Sequence, residues 1–416
     1  MLKQIRPNQL RLGMYIHGFE GSWMAHPFWR SRFVLEDHKD LQRVLSSGVA
    51  GVWIDTTLGD DLSPAHAGSN DAAAAVAVPA SATTPVAAAP SSSQRQTPRA
   101  LRDEMARAAS ICLAARDETE RMFAEARMGR AIDTGVVRQM VEDISDSVLR
   151  NSNALISLAR LKTADNYTYM HSVAVCALMV ALGRQLDLSP EEIRAAGFAG
   201  LVHDIGKAAV PMEVLNKPGR LSDEEFAQVK DHPRLGWQML RDSQVDDGAA
   251  LDVCLHHHER MDGAGYPERL AGEGISLVAR MGAVCDVYDA ITSTRPYKAG
   301  WDPAESLSRM AKWTGGHFDA RVFQAFVRSL GIYPVGSLVM LNSAKLAVVI
   351  DQSPSSLLKP VVKAFYSVRH EERIPPVEID LSAPNCKVQI LSREDPAHWA
   401  FHDLADIWSG GLSAAF

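Results

Sequence analysis

The chain has 416 residues, of which 46% are apolar and 22% charged, and its net charge is −7. That length calls for two to four folded units with the apolar content of an ordinary globular protein. A membrane span is excluded because no run of about 18 apolar residues occurs, and the negative balance argues against a broad face for DNA or RNA polymers.

The amino-terminal residues show no apolar core followed by a small-residue cleavage site, so no secretion signal is expected. Leu10, Leu12, Met14 and Ile16 fall at every second position, which predicts a strand with one buried face. Val49, Val52, Trp53 and Ile54 predict a second strand before Asp55, and Leu35–Leu45 predicts a short helix between them. Residues 1–58 therefore read as a small α+β domain. Residues 59–97 are mostly Ala, Ser, Pro, Thr and Gly. Side chains this small cannot offset the entropy lost on ordering, so a disordered linker is expected.

Helical pattern starts near Thr97–Pro98, a cap followed by proline in the first turn. Leu101, Met105, Ala108, Cys112 and Ala115 follow at three- and four-residue spacing, and Val137, Met140, Val141, Ile144, Val148 and Leu149 continue after Gly135. Two readings stand for residues 98–159: the helices pack on the next domain, or they form a signalling or dimerising pair. Residues 160–330 are helix-rich. Beyond Gly331, the runs Leu338–Leu341, Leu346–Ile350, Val361–Tyr366 and Val388–Leu391 are separated by turn residues and predict a small β appendage over 331–416. The five cysteines are scattered with no C-x-x-C pair. That points to a reducing compartment, the cytoplasm, and away from a disulfide framework or structural zinc.

The chemistry-bearing residues lie in five places: His171; His203–Asp204; His232; His257–His258; and Asp286. The gaps of 32, 28, 25 and 28 residues each suit one helix and a turn, so the side chains can converge from successive helices. A lone histidine on an apolar helix is usually a hydrogen-bonded core residue, but His203–Asp204 follows the apolar Ala199–Val202. A buried carboxylate there needs a cation or several donors. Imidazoles and carboxylates without cysteine suit manganese, iron or zinc ions. One aspartate can span two ions about 3.5–4 Å apart, the spacing that activates water and clamps a phosphoryl group.

His203-Asp204-x-Gly206-Lys207 resembles the HD superfamily of metal-dependent phosphohydrolases. The block HHERMDGAGYP, then ARMGAVCDVYDAITSTRPYK and GGHFD, resembles the HD-GYP family, whose signature is Gly265-Tyr266-Pro267. LRLGMYI, GSWMAHPFWR and VWIDT resemble the small domain of unknown function that often precedes it. The resemblance implies a mainly α protein. Its all-helical HD-type catalytic domain over 160–330 would follow the α+β domain and precede the β appendage.

It also implies a cyclic di-GMP phosphodiesterase that makes pGpG, then GMP, with a two-metal-activated hydroxide as nucleophile. His171, His203 and Asp286 would hold one divalent ion, His232, His257 and His258 the other, and Asp204 would bridge them; the ions would be iron or manganese. Lys207 would touch the scissile phosphate, and Arg295 and Lys298 would be further phosphate contacts. Tyr266 would either stack on guanine or donate a hydrogen bond to phosphate. His256 is read as a non-ligand and Asp289 as a support for a ligand histidine. Three-metal relatives carry Glu four residues before the first histidine; Tyr167 stands there, which implies two metals. The implied partners are diguanylate cyclase (GGDEF) domains, meeting Gly265-Tyr266-Pro267, and a second copy in a homodimer. Two rival readings are a non-hydrolysing nucleotide sensor, against which the complete ligand set argues, and an HD hydrolase of another nucleotide, against which the Gly-Tyr-Pro block argues.

Overall fold

The structure is a computed structural model that describes residues 2–19, 33–35, 37–46, 52–60, 98–162, 167–215, 217, 219, 221–293 and 300–416. It divides into two units, Met1–Gln94 and Arg95–Phe416.

In the first unit, strands β1 (Leu2–Ile5), β2 (Tyr15–Phe19), β3 (Phe33–Val34) and β4 (Val52–Asp55) form an antiparallel sheet in the order β1-β4-β2-β3. Helix α1 (His38–Ser46) sits between β3 and β4 in the chain. Ile5, Leu10, Met14, Ile16, Leu35, Val44, Val52 and Ile54 make the core. The strand expected over Leu10–Ile16 begins only at Tyr15. Pro7–Gln9 is a 3-10 turn, the Leu10 N–H donates to Pro7 O, and the Met14 N–H donates to Arg11 O. The chain coils there, and turns bring residues four apart to the core as an extended strand would. Val49 and residues 61–97, including most of the expected linker, lie outside the described residues.

The second unit opens with α2 (Pro98–Arg127), α3 (Thr134–Arg150) and α4 (Ser152–Ala159). Next come α5 (Tyr167–Gln185), α6 (Pro190–Val202), α7 (Met212–Leu215), α8 (Asp223–Lys230), α9 (His232–Asp242) and α10 (Gly248–His256). Helices α11 (Leu277–Thr292), α12 (Pro303–Ala311) and α13 (Ala320–Leu330) follow, and two short ones, α14 (Pro396–Trp399) and α15 (Leu404–Ser409), come after the second sheet. Met170 through Gly183 of α5 are all buried, so this helix is the axis of the bundle; α2, α4, α6, α11 and α13 pack against it. A helix apolar on every side has to be enclosed. Met105, Ala108, Cys112 and Ala115 of α2 are buried, and α2 and α3 pack on α4, α5 and α6.

Local signals fix the helix starts that matter to the site. Ser189 and Glu192 form a reciprocal capping box at α6, and Ser222 and Glu225 do the same at α8. The Asp247 and Ser276 side chains accept backbone N–H groups at the first turns of α10 and α11. These bonds satisfy donors that a helix start leaves free.

Strands β5 (Leu338–Leu341), β6 (Lys345–Ser353), β7 (Ser356–Ser367), β8 (Glu372–Asp380) and β9 (Ile390–Arg393) form an antiparallel sheet in the order β8-β7-β6-β5-β9. β8 was not expected. Its residues are mostly exposed and include Pro375 and Pro376, and proline is tolerated at a sheet edge, which is where β8 lies.

Candidate metal centre

Six elements bring the histidines and aspartates together. His171 lies early in α5, and His203 directly follows α6. Asp204 precedes the 3-10 turn Ile205–Ala209, which carries Lys207. His232 opens α9, His257 and His258 follow α10, and Asp286 lies on α11. All except Lys207 and His258 are buried. Gly206 lets the Asp204 turn lie directly on α9: a Cβ there would fall 1.9 Å from His232 O and 2.5 Å from Gly236 N.

Asp204 is central. Its Oδ2 is 3.4 Å from both His171 Nε2 and His203 Nε2, and its Oδ1 is 3.1 Å from His232 Nε2 and 3.8 Å from His257 Nε2. Asp286 Oδ1 is 3.0 Å from His171 Nε2, and Oδ2 is 3.8 Å from His258 Nδ1. His171, His203 and Asp286 form one group whose ligand atoms lie within 4.8 Å of one another, and His232, His257 and His258 form a second. Asp204 joins His203 and His257 in a third such group that links the first two.

The outer nitrogens hold the rings in place. Nδ1–H of His203 donates to Gly200 O at 2.7 Å, that of His232 to Val229 O at 2.7 Å, and that of His257 to Val253 O at 2.9 Å. His171 Nδ1 donates to Asp289 Oδ2 at 2.6 Å. With Nδ1 protonated in this way, each Nε2 lone pair faces inward, as a metal-ligating imidazole requires. His203 Nε2 and Asp204 Oδ1 are buried without a hydrogen bond. Orphaned buried polar atoms are costly, and a cation among these donors would satisfy both. The residues present therefore fit divalent metal.

The charge states of His257, His258, Asp204 and Asp286 agree with that fit, while at His171 burial is outweighed by Asp286 and Asp289, which together push its pKa up. Burial, followed by the neighbouring imidazoles of His258, His203 and His232, pushes His257 well below its ordinary pKa, and burial also pushes His258 down. Burial opposes ionisation of Asp204, but Lys207 and His203 beside it hold its carboxyl well below the usual range. Burial likewise opposes ionisation of Asp286, and bonding to His171 together with the neighbouring His258 and His257 holds its carboxyl well below the usual range.

One supporting residue escaped the sequence reading. Lys162 is fully buried and pairs with Asp289, the carboxylate that holds His171. Its only sequence signal is a lysine closing the apolar stretch Ala154–Leu161. Tyr167 stacks on His171 with ring centroids 5.8 Å apart, one helical turn away on the same face. His256 turns to Asp252 and Glu268.

The Gly-Tyr-Pro turn closes one side. A Cβ on Gly265 would lie 2.5 Å from Arg260 N and from Glu259 Cα, so only glycine allows this approach. Buried Glu259 accepts the Glu268 N–H at 2.7 Å and braces the turn. The Tyr266 ring stacks on His258 at 4.7 Å, with the Lys230 ammonium 4.7 Å from its centroid. Lys207 Nζ donates to Asp204 Oδ2. Arg295 and Lys298 lie outside the described residues.

Two family models match the chain: a domain of unknown function (DUF3391) over residues 2–137 and an HD domain over residues 136–322. The chain is 52% identical to the cyclic di-GMP phosphodiesterase PA4108 of Pseudomonas aeruginosa over 411 residues, 99% of this chain and 96% of that protein. It is 41% identical to the cyclic di-GMP phosphodiesterase response regulator RpfG of Xanthomonas campestris over 181 residues, 41% of this chain and 47% of that one. Over 182 residues, 43% of this chain and 41% of the other, it is 35% identical to the 3'3'-cGAMP-specific phosphodiesterase 1 of Vibrio cholerae. Among solved structures, Bd1817, an HDG"Y"P protein from Bdellovibrio bacteriovorus, matches over 78% of this chain and 98% of its own, with a TM-score of 0.44 and 15% identity.

Proposed function

The chain belongs to the HD-GYP family of metal-dependent cyclic di-GMP phosphodiesterases, and from that premise we propose that it cleaves cyclic di-GMP to linear pGpG and then to GMP at the Asp204 cluster. The observation that carries this reading is the pair of ligand groups meeting at one buried carboxylate whose Oδ1 has no hydrogen bond.

In this reading His171, His203 and Asp286 would hold one ion, His232, His257 and His258 the other, and Asp204 would face both. The ions, iron or manganese, would supply Lewis acidity and lower the pKa of a water molecule. The chain's own groups do the rest. Ionised Asp204 and Asp286 attract the cations, and the Nδ1 bonds keep the imidazoles aimed inward. The Lys207 ammonium stands where negative charge grows on the phosphoryl oxygens. With the Tyr266 ring already against His258 and Lys230, its hydroxyl is the part free to meet the phosphate. Phosphate contacts from Arg295 and Lys298 remain part of the proposal.

Contact with diguanylate cyclase domains is placed at the Gly265–Pro267 turn, supported by the exposure of Ala264, Glu268 and Arg269 around it. A homodimer is supported by the exposed Val136 and Leu149 along α3. A cytoplasmic location is supported by the free cysteines; among the described residues no helix is long and apolar enough to cross a membrane.

The test is turnover by protein purified without oxygen, with metal analysis and a panel of cyclic di-GMP and 3'3'-cGAMP. Two ions per chain and preferential cleavage of cyclic di-GMP are expected. Metal-replete protein that binds cyclic di-GMP without product would make it a sensor, and preference for the other nucleotide would reassign the substrate.

Lys207→Ala is expected to keep both metals and to slow hydrolysis by on the order of 10²–10³, the usual cost of losing one such electrostatic contact. An unchanged kcat, or loss of metal, would remove Lys207 from this role.

A further inference from the structure

We propose that Lys230 is a substrate-binding residue that holds the phosphate of the cyclic dinucleotide not undergoing cleavage; this rests on the substrate assignment above. Its ammonium lies 4.7 Å from the Tyr266 ring centroid, and that ring stacks on His258 of the cluster at 4.7 Å. Lys207 contacts the central carboxylate itself, whereas Lys230 stands one aromatic ring further out.

Among the described residues the neighbouring cations are engaged elsewhere: Lys207 with Asp204, Lys217 with Glu225, Arg260 with Asp262, and Arg234 with Pro267 O. Among the described residues the Tyr266 ring is the contact made by Lys230, and no carboxylate neutralises it. Nor does Lys230 serve the packing of its helix. α8 buries none of its residues and is held by the Ser222 capping box and the Lys217–Glu225 pair.

A cyclic dinucleotide carries two phosphodiesters on opposite sides of a macrocycle, each with one negative charge. When one lies against Asp204 and Lys207, the other must emerge at a fixed remove, on a chain whose own net charge is −7. An ammonium on a flexible stem, kept from folding inward by an aromatic ring, suits that second phosphate as a point charge with three donors.

The experiment compares wild type with Lys230→Met and Lys230→Arg. It reads KM and kcat for cyclic di-GMP, metal content, and calorimetric binding of a non-hydrolysable bis-phosphorothioate analogue. Lys230→Met is expected to weaken KM and Kd about tenfold, the size of one charged hydrogen bond, with the loss falling on binding and not on kcat or metal content. Its affinity should depend less steeply on salt than that of wild type, and Lys230→Arg should restore most of the binding. Wild-type KM and Kd in Lys230→Met would overturn the proposal. So would an equal KM loss with bis(4-nitrophenyl) phosphate, which has a single phosphate, because Lys230 would then only steady Tyr266. Wild-type protein that neither binds nor cleaves cyclic di-GMP would overturn the substrate assignment and this proposal with it.

Discussion

Asp204→Ala is expected to lower hydrolysis of cyclic di-GMP by on the order of 10³ or more and to empty the metal centre. Among the described residues Asp204 is the carboxylate that reaches furthest into both ligand groups: it lies within 4 Å of His171, His203, His232 and His257 and also contacts Lys207, whereas Asp286 sits against His171 and reaches the second group only at His258, 3.8 Å away. Two divalent ions about 4 Å apart repel by on the order of 16 kcal/mol even at an effective dielectric of about 20. Neutral imidazoles contribute no charge against that repulsion, and Asp286 belongs to one group alone. Asp204→Asn sharpens the test because it keeps the shape and removes the charge. Elemental analysis beside a turnover assay decides the matter: full occupancy with wild-type rate in either variant would sink the bridging role.

The second large effect concerns a residue that touches neither substrate nor metal. Lys162→Met is expected to destabilise the fold by about 3–5 kcal/mol, as breaking a buried ion pair does. Metal affinity should fall by about 10–100-fold, the usual loss when a ligand's support is removed. Both partners of the Lys162–Asp289 pair are fully buried. Burial opposes ionisation of Asp289, and Lys162 is foremost among the groups that hold its carboxyl below the ordinary range. Without the ammonium, Asp289 keeps His171 and the Ser293 hydroxyl as side-chain partners and draws a proton. The tautomer of His171 is then no longer fixed. The double variant Lys162→Met/Asp289→Leu separates the two effects, since two apolar side chains restore stability but leave His171 unsupported. Denaturation midpoints and chelator competition measure each effect, and a single variant with wild-type values in both would refute the account.

The cluster was legible in the sequence because its residue types are costly to bury and their gaps match helix lengths. His171, His203, His232, His257, His258 and Asp286 could be placed without knowing how the helices cross. Lys162 was not legible, because nothing local separates a lysine aimed at a buried aspartate 127 residues away from one in water. The same limit hid β8, where Pro375 and Pro376 argue against a strand until its edge position is known. At Leu10–Ile16 the pattern of burial was right and the conformation wrong, since apolar spacing reports which residues go inward and leaves open whether a turn or a strand takes them there.

The Nδ1 bonds of His203, His232 and His257 run to carbonyls of the helical turns just before them, Gly200, Val229 and Val253. Each ring is therefore aimed by its own stretch of chain. Carbonyls that only aim the rings add nothing that tells one first-row cation from another, and imidazole–carboxylate sites follow the general affinity ranking of such metals, with ligand type, geometry and supply setting the occupant. On that reading the identity of the ion would follow what the cell had to offer while the chain folded. Turnover would then rise and fall with the supply of whichever divalent cation fills the cradle.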